Sequence, residues 1–332
     1  MKNSSSPAIR SVCWVCKMFG TLLKDIEEAE VITIFRHENP DCDAVGSQYG
    51  LKNWIEDNWP EKQVSACGTQ ACGNGIWPAL NPVSDDTIQN SLVIVLDTAN
   101  RERVDDQRFS IGKKIIKIDH HPERDPFGND QYVFPEMAAT CEILSEFFRQ
   151  CRDQKISEQT ASYLYKGLLT DTLRFTTSNT SQHTMQMAAF LTGFGLDIPS
   201  LNRELFDEEL WEFRYRNMLA ENMQMKGEHL AYCIVSAETM QEWKVSASRT
   251  RSFVTVFGNV RPFQVWAIFT EKTENGMTLY DGSLRSKTIR INDLAEQYKG
   301  GGHPNACGVK NLDENMLKTL LESLFQKAEE AQ

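Results

Sequence analysis

Between Val31 and about Phe175, short apolar runs alternate with amphipathic stretches, and this alternation points to a parallel sheet covered by helices. Val31–Phe35, Gln63–Ala66, Ser91–Leu96 and Lys114–Ile118 have the length and composition of strands. Ala44–Asn58, Ala138–Cys151 and Ser157–Leu173 repeat apolar residues at three- and four-residue spacing, as core-facing helices do. Ligands of open α/β sheets bind beyond the carboxyl ends of the strands. In this chain those ends carry acids and imidazoles.

A length of 332 residues points to two domains. The first is expected over 19–185. A strand-free, helix-rich connector follows over 186–226, and a smaller α/β domain over 227–332. There His229–Val235, Phe263–Phe269 and Met277–Leu284 resemble strands, and Ser248–Gly258, Asn292–Tyr298 and Asn315–Ala328 helices. The Ser-rich segment 1–18 reads as a disordered tail.

A formal charge of −11 argues against tight, nonspecific binding to long duplex nucleic acid, which calls for a basic face. A small phosphate ligand is still compatible, because local potential governs a site. No run approaches the roughly 20 apolar residues of a membrane span, and no apolar signal core opens the chain, so a cytoplasmic protein without a membrane partner is expected. Nine scattered cysteines read as reduced thiols. A zinc site from Cys13, Cys16, Cys67 and Cys72 is the weaker alternative, since the sulfurs come from distant segments.

Four stretches carry candidate chemistry. In the first, a strand delivers His37 and a Pro40 turn delivers Asp41 and Asp43. Manganese and magnesium favour carboxylate oxygens, manganese also accepts imidazole, and two aspartates two residues apart can face adjacent ions. The competing reading uses Asp43 purely as a helix N-cap. Gly46 and Ser47 near the start of that helix offer backbone N–H groups to an anion. In the second, Asp97 ends the run Leu92–Leu96, where an unpaired carboxylate would be costly. The third is Asp119-His120-His121 at a strand end, where adjacent imidazoles point in different directions. The fourth is Asp171, on a helix otherwise apolar around it.

The order His-x3-Asp-x-Asp, strand-end Asp, Asp-His-His and helix Asp resembles the DHH phosphoesterase family, and Gly282–Ser286 with Gly300–Gly308 resemble the phosphate-binding motifs of the DHH-associated C-terminal domain. The likeness spans nearly the whole chain and is nearest to the oligoribonuclease and 3′-phosphoadenosine 5′-phosphate phosphatase branch. It implies two divalent ions of the manganese type. His37, Asp41 and Asp97 would bind one, and Asp43, Asp97, His120 and Asp171 the other, with Asp97 bridging. It further implies that Asp119 orients His120 and that His121 contacts the scissile phosphate. In the second domain it implies a phosphate site made by Arg285, Ser286, Gly300, Gly301, Gly302 and His303. Alternatively, the glycines only end the preceding helix. The chain departs from the family pattern at Cys42, Lys299 and Cys307, none of which is a proposed ligand.

The expectation is a two-domain α/β hydrolase acting on short single-stranded RNA or DNA oligonucleotides, or on phosphorylated nucleotides such as 3′-phosphoadenosine 5′-phosphate. A phosphate held at a set distance from the ions would favour short substrates. The nearest rival is a phosphodiesterase for linear or cyclic dinucleotides, and from another class a catalytically silent nucleotide sensor. A homodimer is compatible with the sequence, though no apolar dimerisation face can be picked out. His229 opens a strand and reads as structural, and His183 lies in a connector with no acidic partner nearby in sequence; neither is a candidate ligand. Trp211, Phe213 and Tyr215 read as aromatics for packing or interdomain contact rather than as a base-stacking surface.

Overall fold

The computed structural model describes residues 19–72, 75–123 and 125–330. The expected tail over 1–18, with Cys13 and Cys16, lies outside them. The chain divides after Asp207 into two compact units.

The first unit runs α1 (Leu22–Glu28), β1 (Val31–Phe35), α2 (Cys42–Asn58), β2 (Gln63–Ala66), β3 (Leu92–Leu96), β4 (Lys114–Asp119), β5 (Asp130–Val133), α3 (Thr140–Gln150), α4 (Glu158–Asp171), α5 (Gln182–Thr192) and α6 (Ile198–Phe206). Its sheet has the order β2-β1-β3-β4-β5, and every neighbouring pair is parallel. From β1 the chain crosses first to one side and then returns to place β3 on the other. A crevice therefore opens at the carboxyl ends of β1 and β3, where the strand order reverses.

Both faces of the sheet are covered, which is why β3 reads as a continuous apolar run. Leu92, Ile94 and Leu96 join Ile32, Ile34, Ile116, Ile118 and the helix residues Leu144, Phe147, Leu164 and Leu168 in the larger core. Val93 and Val95 join Phe35, Phe109 and Phe127 on the opposite face. Each fully buried Ile or Leu contributes roughly 1.5–3 kcal/mol. Glycines bring α2 and α4 together: a Cβ on Gly46 would lie 2.6 Å from the Tyr163 carbonyl oxygen, and one on Gly167 would lie 3.0 Å from the Asp43 Cα. That close approach sets the end of α4, with Asp171, beside the start of α2.

The helix-rich stretch after α5 is divided between two cores. Leu201 of α6 is buried in the first, while α7 (Leu210–Glu221) places Tyr215 and Leu219 in the second unit. Tyr215 is fully buried, with its hydroxyl 2.8 Å from that of Thr250, whereas Trp211 and Phe213 are exposed, so the three aromatics do not form one surface. The second unit continues with β6 (Gln224–Lys226), β7 (Leu230–Val235), β8 (Val265–Glu274), β9 (Met277–Ser286), α8 (Asn292–Gln297), β10 (Gly301–His303), β11 (Ala306–Leu312) and α9 (Glu314–Glu329). Its mixed sheet has the order β10-β11-β9-β8-β7-β6, in which only β7 and β8 are parallel. Leu317, Leu320 and Leu324 of α9 cover its core. No helix among the described residues is long and apolar enough to cross a membrane.

Candidate active site

His37, Asp41, Asp43, Asp97, His120 and Asp171 converge beyond the carboxyl ends of β1, β3 and β4. His37 follows β1, and its Nδ1 lies 2.7 Å from the Glu38 carbonyl oxygen. That contact turns Nε2 toward Asp41 Oδ2 at 3.7 Å and Asp97 Oδ2 at 3.4 Å. His120, just past β4, is held in the same way. Its Nδ1 is 3.3 Å from the Met137 carbonyl oxygen, and its Nε2 faces Asp97 Oδ1 at 3.4 Å, Asp171 Oδ2 at 3.6 Å and Asp43 Oδ2 at 4.0 Å. A backbone acceptor on Nδ1 fixes the proton there and leaves Nε2 to the cluster.

Asp97 stands at the centre, with one carboxylate oxygen toward each imidazole. Its φ of 52° lies in the left-handed region, which Asp tolerates better than most residues and which turns the chain sharply as β3 ends. Thr140 donates its hydroxyl to Asp97 Oδ1 at 3.1 Å. Asp41 caps α2 by accepting the N–H groups of Asp43 and Ala44, each at 3.0 Å. Asp43 is a cap as well, but of a different helix. Its carboxylate accepts the N–H groups of Thr140 (2.7 Å) and Cys141 (2.9 Å) at the start of α3, whose own N-cap position, Ala139, has no side-chain acceptor. Gly46 and Ser47, expected to offer N–H groups to an anion, are buried instead, Gly46 against α4 and Ser47 donating to the Ala44 carbonyl oxygen.

One expected role is corrected. Asp119 does not orient His120, because His120 Nδ1 is committed to Met137. Asp119 Oδ1 instead accepts from the His121 backbone N–H at 3.1 Å and lies 2.8 Å from His121 Nδ1. The two rings lie side by side with centroids 4.5 Å apart, and His121 Nδ1, which takes Asp119, also lies 3.5 Å from Asp97 Oδ1.

The electrostatics are those of acids packed together without enough cations. Burial and the neighbouring Asp97 push Asp43 up to about 7. Burial and the charge of Asp43 raise Asp171 well above the carboxylate range. Burial acts on Asp97 in the same direction, yet the imidazoles of His120 and His37 that face its carboxylate outweigh it and hold Asp97 well below that range. Burial would lower His37, but Asp41 and Asp97 carry it up to about 10, and Asp97 likewise raises His120 well above the imidazole range.

Such a set fits hard divalent cations. The N···O separations of 3.4–4.0 Å are too long for hydrogen bonds. They approach the ~3–3.5 Å expected between two donors each ~2.1 Å from a shared ion. Asp43 and Asp97 are buried, while the Asp41 side chain is 59 % exposed and that of Asp171 30 %, so the cluster opens to solvent on one side.

Sequence-local reasoning missed several supports. Arg36 is buried and donates to Asp105 at 2.8 Å. Asp105 in turn accepts from the backbone of Thr69 and Gln70, fixing the loop after β2 beside His37. His183 has acidic partners after all, on α3: its Nδ1 lies 2.6 Å from Glu142 and its Nε2 3.2 Å from Glu146. Glu142 and then Glu146 raise His183 from 6.5 to about 9. The resulting stability is complete below pH 6.5 and is lost as pH rises through 9. With the side chain about one-third exposed, His183→Ala is expected to cost on the order of 1 kcal/mol at pH 6 and clearly less at pH 10, measured by urea unfolding.

In the second unit, Arg285 on β9 donates to its neighbour Leu284 O at 2.9 Å and makes no ion pair among the described residues. Burial lowers its pKa. Gly301–His303 pair antiparallel with Ala306–Gly308, so the glycines build a hairpin rather than simply ending α8. A Cβ on Gly300 would lie 2.2 Å from Gly308 O, and one on Gly302 2.5 Å from Ala306 O, while Gly301 faces open space. Lys299, where the family pattern has a further glycine, itself has a φ of 57°. His303 is exposed. Ser286 is committed within the fold: its hydroxyl donates to Ile289 O and accepts from Asn305 Nδ2 at 2.9 Å. Nearby, Arg249 pairs with Glu212, and Arg251 Nη1 lies 3.9 Å from Asp281 Oδ2.

Residues 31–168 match the DHH family, N-terminal domain, and residues 224–330 match the DHHA1 domain; the chain belongs to the DHH family. It is 36 % identical to a probable bifunctional oligoribonuclease and PAP phosphatase, NrnA, of Streptococcus mutans, over 88 % of this chain and 93 % of that protein. It is 32 % identical to the Bacillus subtilis bifunctional oligoribonuclease and PAP phosphatase NrnA, over 86 % of this chain and 91 % of that protein. Its fold is that of an exopolyphosphatase-related protein of Bacteroides fragilis, with a TM-score of 0.82, 22 % identity and coverage of 94 % and 98 % of the two chains.

Proposed function

We propose that the protein is a phosphoesterase that uses two divalent metal ions, of the manganese type, to hydrolyse short oligoribonucleotides and 3′-phosphoadenosine 5′-phosphate. The observation that carries the reading is the central position of Asp97, with one oxygen toward His37 and the other toward His120. Four carboxylates, those of Asp41, Asp43, Asp97 and Asp171, match the charge of two divalent cations, with His37 and His120 as neutral donors. The family and the names of relatives more than 30 % identical supply the substrate class.

When bound, the ions would acidify a water and offset charge on the attacked phosphoryl group. The protein's own residues do the rest. Glu38 and Met137 carbonyl oxygens fix the ligating nitrogens of His37 and His120, and Thr140 fixes Asp97. Asp119 accepts the Nδ1–H of His121, and Nε2, when it carries a proton, is the donor assigned to the scissile phosphate. Arg285, half-buried and with no carboxylate partner among the described residues, supplies a charge-assisted donor for a second phosphate of the substrate. Ser286 joins it only by giving up the Ile289 bond.

The test is release of mononucleotide from a 5′-labelled five-nucleotide RNA, and of phosphate from 3′-phosphoadenosine 5′-phosphate, with manganese. Turnover of neither substrate refutes the assignment. Arg285→Ala is expected to raise KM for the short RNA about 10-fold or more with little change in kcat, the value of one charge-assisted hydrogen bond. An unchanged KM would remove Arg285 from the site.

A further inference from the structure

Asp119 is fully buried, and its two oxygens have different surroundings. Oδ1 holds His121, while Oδ2 accepts no hydrogen bond. A buried carboxylate with a bare oxygen is costly unless a charge compensates it. The only cation that the described residues place beside it is Lys117, two residues earlier on the same face of β4, whose Nζ lies 3.5 Å from Oδ2.

Lys117 is an unusual residue for this place. Lysines are almost never fully buried unless paired, yet its side chain is completely enclosed. Its Nζ donates to the Ala99 carbonyl oxygen at 3.0 Å, just past β3, and sits 4.9 Å above the Phe127 ring. These two contacts fix the ammonium between the ends of β3 and β4. The sequence Lys117-Ile-Asp119-His-His121 thus places a cation, an anion and an imidazole in line at alternate positions.

We propose that Lys117 is a positioning residue for His121. Its charge keeps the Asp119 carboxylate in place, and the carboxylate in turn holds His121 with its proton on Nδ1 and Nε2 toward the substrate. The proposal rests on the phosphoesterase reading for its kinetic consequence, but the contacts of Lys117 and His121 with Asp119 stand without it. Without Lys117 the buried anion has no compensating charge, so its lowest-cost course is to turn toward water and release the ring. Substrate affinity depends on other groups, and the loss falls on turnover.

Two variants test this, Lys117→Met, which keeps the length of the side chain, and Lys117→Gln, which can still donate to Ala99 but carries no charge. The first readout is the His121 tautomer, read from ¹⁵N chemical shifts and long-range couplings of histidine-labelled, metal-free protein. The parent should show Nδ1–H, and both variants a mixture of tautomers. The second is kinetics on the short RNA with manganese. Both variants should lose about 100-fold in kcat with KM within about twofold, as expected when a contact to the scissile phosphate that counts in the transition state is impaired. In an Asp119→Asn background the same substitutions should change kcat by less than about threefold, because Lys117 acts through Asp119. A single Nδ1–H tautomer retained in a folded variant, or losses that multiply with Asp119→Asn, would overturn the proposal. If the parent turns over no phosphoester, the functional reading fails, and the tautomer measurement still decides the role of Lys117.

Discussion

Asp97→Ala is expected to lose at least ~10³-fold in kcat on both the short RNA and 3′-phosphoadenosine 5′-phosphate, because several kcal/mol of transition-state stabilisation depend on both ions being held. Among the described residues, no other side chain faces both imidazoles with separate oxygens. Truncating it removes a donor from each ion and leaves Thr140 Oγ1 without its acceptor. The fold should survive, because Asp97 follows β3 and the left-handed backbone at its φ of 52° costs an alanine only about 1–2 kcal/mol. Parallel circular dichroism and kinetic assays check both halves of this expectation. A variant that keeps a tenth of parental turnover would place the chemistry elsewhere.

Metal should stabilise the protein increasingly as pH rises, while the metal-free protein loses stability over the same range. His37 is raised from 6.5 to about 10 on folding, so the stability it contributes is complete below pH 6.5 and is lost as pH rises through 10. Asp43 is raised from 3.8 to about 7, so folding favours its neutral form, and that contribution is lost as pH rises through 7. Metal ions compete with those same protons, so their affinity grows as the protons leave. At 1,000 times the dissociation constant, a bound ion is worth about 4 kcal/mol. Thermal unfolding in excess manganese or in chelator should therefore diverge from pH 6 to pH 9, the chelated protein falling in Tm while the loaded one holds. A gap in Tm that narrows with pH would show that the cluster does not exchange protons for metal.

The parallel sheet was legible because burial on both faces makes its central strands plain apolar runs, and Leu92–Leu96 carries no polar residue. Four strands were not: Asp130–Val133, Gln224–Lys226, Gly301–His303 and Ala306–Leu312, the second and third only three residues long. Asp130–Val133 lies at the sheet edge with only Tyr132 buried, and Ala306–Leu312 contains a glycine, a lysine and an asparagine that disguise it. The six candidate ligands were legible as residue types at strand and helix ends, and they do converge. What could not be read were contacts across the fold. Asp43 caps α3, which begins 97 residues later at Thr140. The one sequence signal for this was negative, a helix starting at Ala138-Ala139-Thr140 with no capping side chain at Ala139. His183 seemed isolated for a similar reason, since Glu142 is 41 residues away. The partner of Asp119 was misassigned because proximity in sequence cannot say which of two adjacent imidazoles turns toward it.

The account stands on one site that holds two ions around Asp97, and equilibrium dialysis against manganese tests this without any assumption about substrate. The parent should bind two ions per chain at pH 8, and Asp97→Ala at most one, with weakened affinity. One ion or none in the parent, or two retained with unchanged affinity in Asp97→Ala, would contradict the account.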